Sequence, residues 1–125
     1  MEKAPKELEV FGQLQRNLGE LTMQAVCDAV QEDWREVYLD MRSTPDGAAR
    51  GMKLLVVAAS GEVLALRLTG PIEDTLRKIC EMRALFVPPW YGMRLAMTSA
   101  GNCEVRFSGA PNCYEDPAFG DCQKF

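Results

Sequence analysis

The segment spanning residues 34–68 constrains the fold most, because it holds three strand-like runs separated by two tight-turn signals. In residues 34–42, Val37, Leu39 and Met41 alternate with polar residues, which is the period of a half-buried strand. A Thr-Pro-Asp-Gly turn at residues 44–47 and a Ser-Gly turn at residues 60–61 follow. Strands joined by such short turns are antiparallel, so the sequence predicts a three-stranded meander.

The second strand, residues 51–59, is apolar on both sides, which favours a central strand covered at least in part on both faces. The third strand, residues 62–68, places Leu64, Leu66 and Leu68 on one face. A final hairpin begins near Trp90 and turns at residues 100–102, with Val105 and Phe107 on one face of its last strand and Glu104 and Arg106 on the other.

Two helices complete the prediction. Residues 6–31 carry apolar side chains at three- and four-residue steps, and Pro5 suits the first turn of a helix. The expected apolar stripe comprises Leu8, Phe11, Leu14, Leu18, Leu21, Ala25 and Ala29. The second helix runs from Pro71 to about Phe86 and is stopped by Pro88-Pro89.

The order α-β-β-β-α-β-β predicts an α+β fold: one antiparallel sheet of about five strands with both helices on one face. A chain of 125 residues is expected to form a single domain, residues 1–125. Two hypotheses remain for residues 110–125: a tail that folds back with Tyr114 and Phe119 buried, or a loosely docked element that orders on binding. Trp34 and Trp90 each begin a strand and are expected to pack, with Trp90 the more exposed.

The negative charge is local. The formal net charge is −4, and residues 28–40 alone hold five acids (Asp28, Glu32, Asp33, Glu36 and Asp40) against one base, Arg35, which also sums to −4. The other 13 acids and 13 bases cancel. A local negative patch favours a basic partner and disfavours nucleic acid or an anionic membrane.

The chain lacks the residues that several kinds of catalytic site require. The chain has no histidine, which removes Ser-His-Asp and Cys-His pairs and most catalytic zinc sites. The five cysteines show no metal-ligand spacing, so we expect no metal, no cofactor and free thiols, although oxidation could join Cys113 to Cys122. Cys27 and Cys80 fall on predicted helices and are expected to be small buried hydrophobes. An enzyme would have to use carboxylates or a lone cysteine, and we predict that this protein is not one.

The first ten residues lack the apolar core of a signal peptide, and no apolar run reaches the ~20 residues that span a bilayer. We therefore expect a cytoplasmic protein with no membrane partner.

The C-terminal half resembles the YezG-type immunity family, the antidotes of bacterial polymorphic-toxin and contact-dependent-inhibition systems. The matching features are a Trp before a strand, a short Gly turn, a strand ending in Phe and a Tyr-Asp-x-Pro-like tail. They correspond here to Trp90, Leu95, Gly101, Val105, Phe107 and residues 114–117. The resemblance implies a cytoplasmic protein that binds and neutralises one toxin domain.

We expect the contacts to lie on the sheet face opposite the helices, which should be open, and on the tail. An aromatic residue between acids suits a basic partner, because the acids steer the encounter and the ring anchors it. The candidate partner-binding residues are Asp33, Glu36, Tyr38, Asp40, Tyr114, Glu115 and Asp116.

Three classes of function stay open. The first is an immunity protein, a monomer or weak dimer when free, that occludes its cognate toxin, with a nuclease as the basic partner suggested by charge. The second is an acidic secretion chaperone or adaptor, which should be an obligate dimer with a large apolar surface. The third is an enzyme with a perturbed group in a pocket.

Overall fold

The computed structural model describes residues 5–86, 89–117, 119, 121 and 122. Pro88, which was expected to stop the second helix, lies outside the described residues. The elements in chain order are α1 Pro5–Ala29, β1 Trp34–Ser43, β2 Arg50–Ala58, β3 Val63–Leu66, α2 Gly70–Glu81, a 3₁₀ helix Met82–Leu85, β4 Gly92–Thr98, β5 Cys103–Ser108 and a 3₁₀ turn Cys113–Glu115.

The five strands form one antiparallel sheet in the order β3-β2-β1-β4-β5. The α+β fold and the element order predicted from the sequence are confirmed. The most consequential pairing is the one that the turns alone do not specify: β1 pairs with β4, so that β1 is the central strand.

One face of the sheet carries the core. Val37, Leu39 and Met41 of β1 have no exposed surface and are flanked by apolar side chains of β2 and β4. Ile72, Leu76 and Ile79 of α2 and Phe11, Leu18 and Val26 of α1 pack into the same cluster. Both helices therefore cover one face, and burying this much apolar surface is the main stabilising contribution.

The buried stripe of α1 is rotated from the predicted one. Leu8 is half exposed and Ala29 is exposed, whereas Thr22 and Val26 are fully buried. The Thr22 hydroxyl donates to the carbonyl of Leu18 over 2.7 Å, which satisfies its polar atom inside the core. Burial of a threonine is hard to predict from a sequence, because its hydroxyl can donate to a main-chain carbonyl of the same helix and needs no other polar partner.

Two expectations about side chains are corrected. Trp90 is 5% exposed and Trp34 is only half-buried, the reverse of the predicted ranking. Trp90 is buried because its ring packs 4.9 Å from that of Phe107. Cys80 is buried as predicted, but Cys27 is exposed, since it lies on the outer side of α1. All five cysteines are free thiols.

Within the described residues, no helix has both the length and the apolar character needed to cross a membrane.

Candidate functional site: the second sheet face

The second face of the sheet carries a row of charged side chains. Arg106 of β5 lies across from Arg94 of β4, Arg94 across from Asp40 of β1, and Asp40 across from Lys53 of β2. This row runs perpendicular to the strands through the middle of the face. It divides the face into an end near Arg42 and an end near Glu36.

Asp40 and Arg94 form a buried ion pair at the centre of the row. The Arg94 Nε donates to Asp40 Oδ1 over 2.6 Å, and Nη2 donates to Oδ2 over 2.7 Å, with side-chain exposures of 5% and 0%. A two-bond fork of this kind is the strongest arrangement for a guanidinium and a carboxylate. Asp40 is thus neutralised inside the protein, and its predicted role as an exposed contact for a basic partner is wrong.

The described part of the tail, residues 110–117, 119, 121 and 122, runs from the end of this face near Arg42 to Arg94 at its centre. The Arg42 Nη1 donates to the carbonyl of Cys113 over 2.8 Å, and the Arg94 Nη2 donates to the carbonyl of Asp121 over 2.7 Å. Lys53 Nζ donates to the carbonyl of Phe119 over 3.1 Å and lies 4.4 Å from the centre of its ring. Folding back is therefore the hypothesis that the described part of the tail supports. The expectation of an open face is wrong for this end.

Two glycines make room for the tail. Gly51 of β2 and Gly92 of β4 both pair with Arg42 of β1, one on each side. A Cβ atom on Gly51 would lie 2.7 Å from the Phe119 ring, and one on Gly92 would lie 3.2 Å from the Cys113 Sγ. The Gly-Arg-Gly row is a slot whose floor is backbone and whose only long side chain binds the tail.

The other end of the face keeps an open cleft of 260 Å³. Tyr38 lies on its floor, where the Arg94 guanidinium sits 4.7 Å from the ring centre and the phenol donates to Glu36 Oε2 over 2.5 Å. Burial, followed by the hydrogen bond to the Glu36 carboxylate, raises the pKa of Tyr38 to about 12. The Cys122 thiol also lines the cleft, and burial raises its pKa as well. Neither group is activated for proton transfer or nucleophilic attack near neutral pH.

The cleft is smaller than the roughly 300–1,000 Å³ typical of small-molecule sites. In the described part of the chain, no group of three His, Cys, Asp or Glu side chains is arranged to hold a metal ion.

The predicted contact residues fall into two separate groups. Asp33 is exposed just before β1, and Glu36 and Tyr38 line the cleft. Tyr114 is half-buried and Glu115 is exposed in the 3₁₀ turn beside Arg42, and Asp116, which follows the turn, is also exposed. Arg42 lies six positions after Glu36 on β1, a distance of about 20 Å at the usual rise per residue.

The charge pattern of residues 28–33 points to a surface of which the candidate list included only Asp33. Asp28, Glu32 and Asp33 are exposed at the junction of α1 and β1. Beside them, a shallow groove between the end of α1 and the edge strand β3 is lined by residues 29–32 and 62–66. It has Glu32 and Glu62 on its rim and an apolar floor, and its Val63 is 50% exposed. We call Asp28, Glu32, Asp33, Glu62 and this groove the acidic end.

No family model matches the chain, and a search of curated proteins also finds no match. The class that the fold and the site define is therefore structural: an α+β fold with one five-stranded sheet, whose helix-free face is partly covered by the described part of the tail.

Proposed function

We propose that this protein is a non-enzymatic immunity protein that binds one toxin domain and blocks it stoichiometrically in the cytoplasm. The observation that carries the proposal is the acidic end, where exposed carboxylates surround an apolar groove. The three ion pairs recorded among the described residues involve Asp40, Asp74 and Glu104, so none of them neutralises these acids.

The acidic end suits a basic protein surface. Carboxylates at its rim raise the rate of encounter with a positively charged partner, and the apolar floor supplies area that a partner side chain can bury. Enzymes that act on nucleic acid carry such positive surfaces, which favours a nuclease toxin. A standard interface of about 1,600 Å² in total could be centred on the acidic end.

The small cleft supports binding rather than catalysis. Its phenol, Tyr38, and its two thiols, Cys103 and Cys122, all have raised pKa values, with burial the first cause in each case. A nucleophilic thiol that works near neutral pH needs a lowered pKa, and a phenol that acts as a general base there needs a pKa far below 12.

The direct test is co-expression with the variable C-terminal domain of a large secreted protein encoded immediately upstream of the gene for this chain. The proposal predicts that wild-type protein restores growth and forms a one-to-one complex with that domain. If growth is not restored and no complex forms with the purified domain, the proposal is wrong.

The contact surface is tested by charge reversal. Glu32→Lys with Asp33→Lys, both exposed members of the acidic end, should slow association at low ionic strength, and the difference from wild type should shrink as salt is added. The matched control is Glu9→Lys with Glu20→Lys, which makes the same charge change on exposed positions of α1. Equal slowing by both pairs would show that only net charge matters and would remove the acidic end from the contact.

The tail is tested by a third pair, Glu115→Lys with Asp116→Lys. These acids lie in the tail beside Arg42 and outside the acidic end, so we expect their reversal to leave association close to that of the Glu9/Glu20 control. A loss confined to this third pair would instead place the contact at the tail.

A further inference from the structure

The outer edge of β5 is unusual for an edge strand. It spans Cys103–Ser108 and is the last strand of the sheet, and no strand in the described part of the chain lies beyond it. Proteins usually protect such edges by keeping them short or by placing lysine, proline or bulges there. This one has six residues in regular pairing with β4 and contains no lysine or proline.

The register with β4 shows which backbone groups of β5 point outward. Thr98 N–H donates to the carbonyl of Asn102 over 2.9 Å, and the pairing continues in steps of two through Glu104 and Arg106. Hydrogen-bonded and non-hydrogen-bonded positions alternate in antiparallel pairs. The N–H and C=O groups of Cys103, Val105 and Phe107 therefore face away from the sheet.

The side chains of β5 are complementary to those of a second, antiparallel copy of β5. We propose that this edge is a self-association surface on which a second copy of the chain adds an antiparallel strand. A two-fold axis at Val105 pairs Val105 with the partner's Val105, Cys103 with the partner's Phe107, and Glu104 with the partner's Arg106. The outward positions then form about six backbone hydrogen bonds across the axis.

Charge selects this register. Glu104 and Arg106 lie on the same face, 62% exposed, and at present pair with each other over 3.0 Å within the strand. A two-fold axis at Glu104 would oppose two glutamates, and one at Arg106 would oppose two arginines, both of which destabilise a sheet. Only the axis at Val105 brings each acid opposite a base.

Apolar burial favours the same pairing. Phe107 is 38% exposed, although its ring packs 4.9 Å from Trp90 and 5.8 Å from Phe11. The partner strand would cover the exposed part of this ring. One strand pair makes a small interface, so we expect a weak dimer with a dissociation constant in the micromolar range.

The opposite edge of the sheet provides a comparison. β3 has four residues, Val63–Leu66, and the charges that flank it are Glu62 and Arg67. These two positions are five residues apart and so point to opposite faces of an extended strand. They cannot meet across a two-fold axis, because residues directly opposite in an antiparallel pair share a face.

The experiment is sedimentation equilibrium over a concentration series. Wild-type protein should pass from the monomer mass of 13.9 kDa towards twice that value as its concentration rises. Glu104→Arg and Arg106→Glu should each raise the dissociation constant about tenfold or more, because each variant places like charges opposite one another. Glu62→Arg on the β3 edge is the control and should dimerise as wild type does.

Mixing the two variants is the decisive measurement. Glu104→Arg protein and Arg106→Glu protein restore both acid–base pairs when they meet, so the mixture should form a heterodimer that neither forms alone. A wild-type mass that stays at 13.9 kDa at the highest concentration overturns the proposal, and so does a wild-type dimer with no recovery in the mixture. Far-ultraviolet circular dichroism checks that each variant is folded, as expected for side chains that are mostly exposed.

Discussion

Removing one member of the Asp40–Arg94 pair should be among the most destabilising polar substitutions in this protein. Arg94→Met would leave a carboxylate with no exposed surface without its guanidinium partner. Breaking a buried pair from one side costs about 3–5 kcal/mol, because the remaining charge stays buried without compensation. A domain of this size is stable by about 5–15 kcal/mol, so this single change should remove a large share of the total.

The double variant Asp40→Leu with Arg94→Met tests whether the loss in each single variant comes from the unpaired buried charge that it leaves behind. Replacing both charges with apolar side chains of similar volume is often neutral or stabilising. We therefore expect the double variant to be more stable than either single variant. Arg94 also donates to two tail carbonyls, those of Asp121 and Cys122, so Arg94→Met should cost more than Asp40→Leu by about 1–3 kcal/mol.

Urea unfolding followed by circular dichroism measures these free energies of unfolding. Arg77→Met is the control, since its ion pair with Asp74 is exposed and should contribute less than about 1 kcal/mol. Single variants that lose less than about 1 kcal/mol would refute the argument. Losses that simply add in the double variant would refute it too, because they would show that the two charges do not depend on each other.

Three further outcomes follow from the structure. Tyr38 should titrate near pH 12 by phenolate absorbance, and Glu36→Gln should lower that pKa part of the way towards 10. The pKa of Tyr38 is higher in the folded protein than in the unfolded chain. The stability that Tyr38 contributes is therefore complete below about pH 10 and is lost as the pH rises towards 12. Gly51→Val should push the Phe119 ring away, cost about 1–3 kcal/mol and expose the tail to limited proteolysis, whereas a tail as resistant as wild type would contradict the proposed slot. Gly19→Ala should raise stability by about 0.5–1 kcal/mol, because a methyl group there meets nothing within 4 Å in mid-helix; an unchanged urea midpoint would count against it.

The sequence predicted the fold well because its signals are local. The alternation of Val37, Leu39 and Met41, and the turn residues at 44–47 and 60–61, depend only on neighbouring residues. The second sheet face was harder to predict, because its contacts join residues far apart in the chain. Asp40 and Arg94 are 54 positions apart, and Arg42 and Cys113 are 71 apart.

The tail was the least predictable part because it accepts hydrogen bonds through its own main-chain carbonyls. Any residue has a carbonyl, so the identities of Cys113, Asp121 and Cys122 do not reveal that arginines bind there. The signal that was available is the pair of glycines at 51 and 92 in strands that otherwise hold large side chains. Once β1 is known to lie between β2 and β4, those glycines mark a site where another part of the chain comes close to the sheet.

Self-association through β5 also distinguishes the immunity-protein hypothesis from the chaperone hypothesis, because only the chaperone requires the dimer for its function. An immunity protein that occludes a toxin through the acidic end uses the side of the sheet near β3, opposite β5. A chaperone of the secretion type needs its dimer to present a large apolar surface. Glu104→Arg, which should weaken the dimer without changing the acidic end, should therefore neutralise the toxin domain as well as wild type does. A variant that stays folded and monomeric yet fails to neutralise would favour the chaperone hypothesis, because it would show that the working unit is the pair.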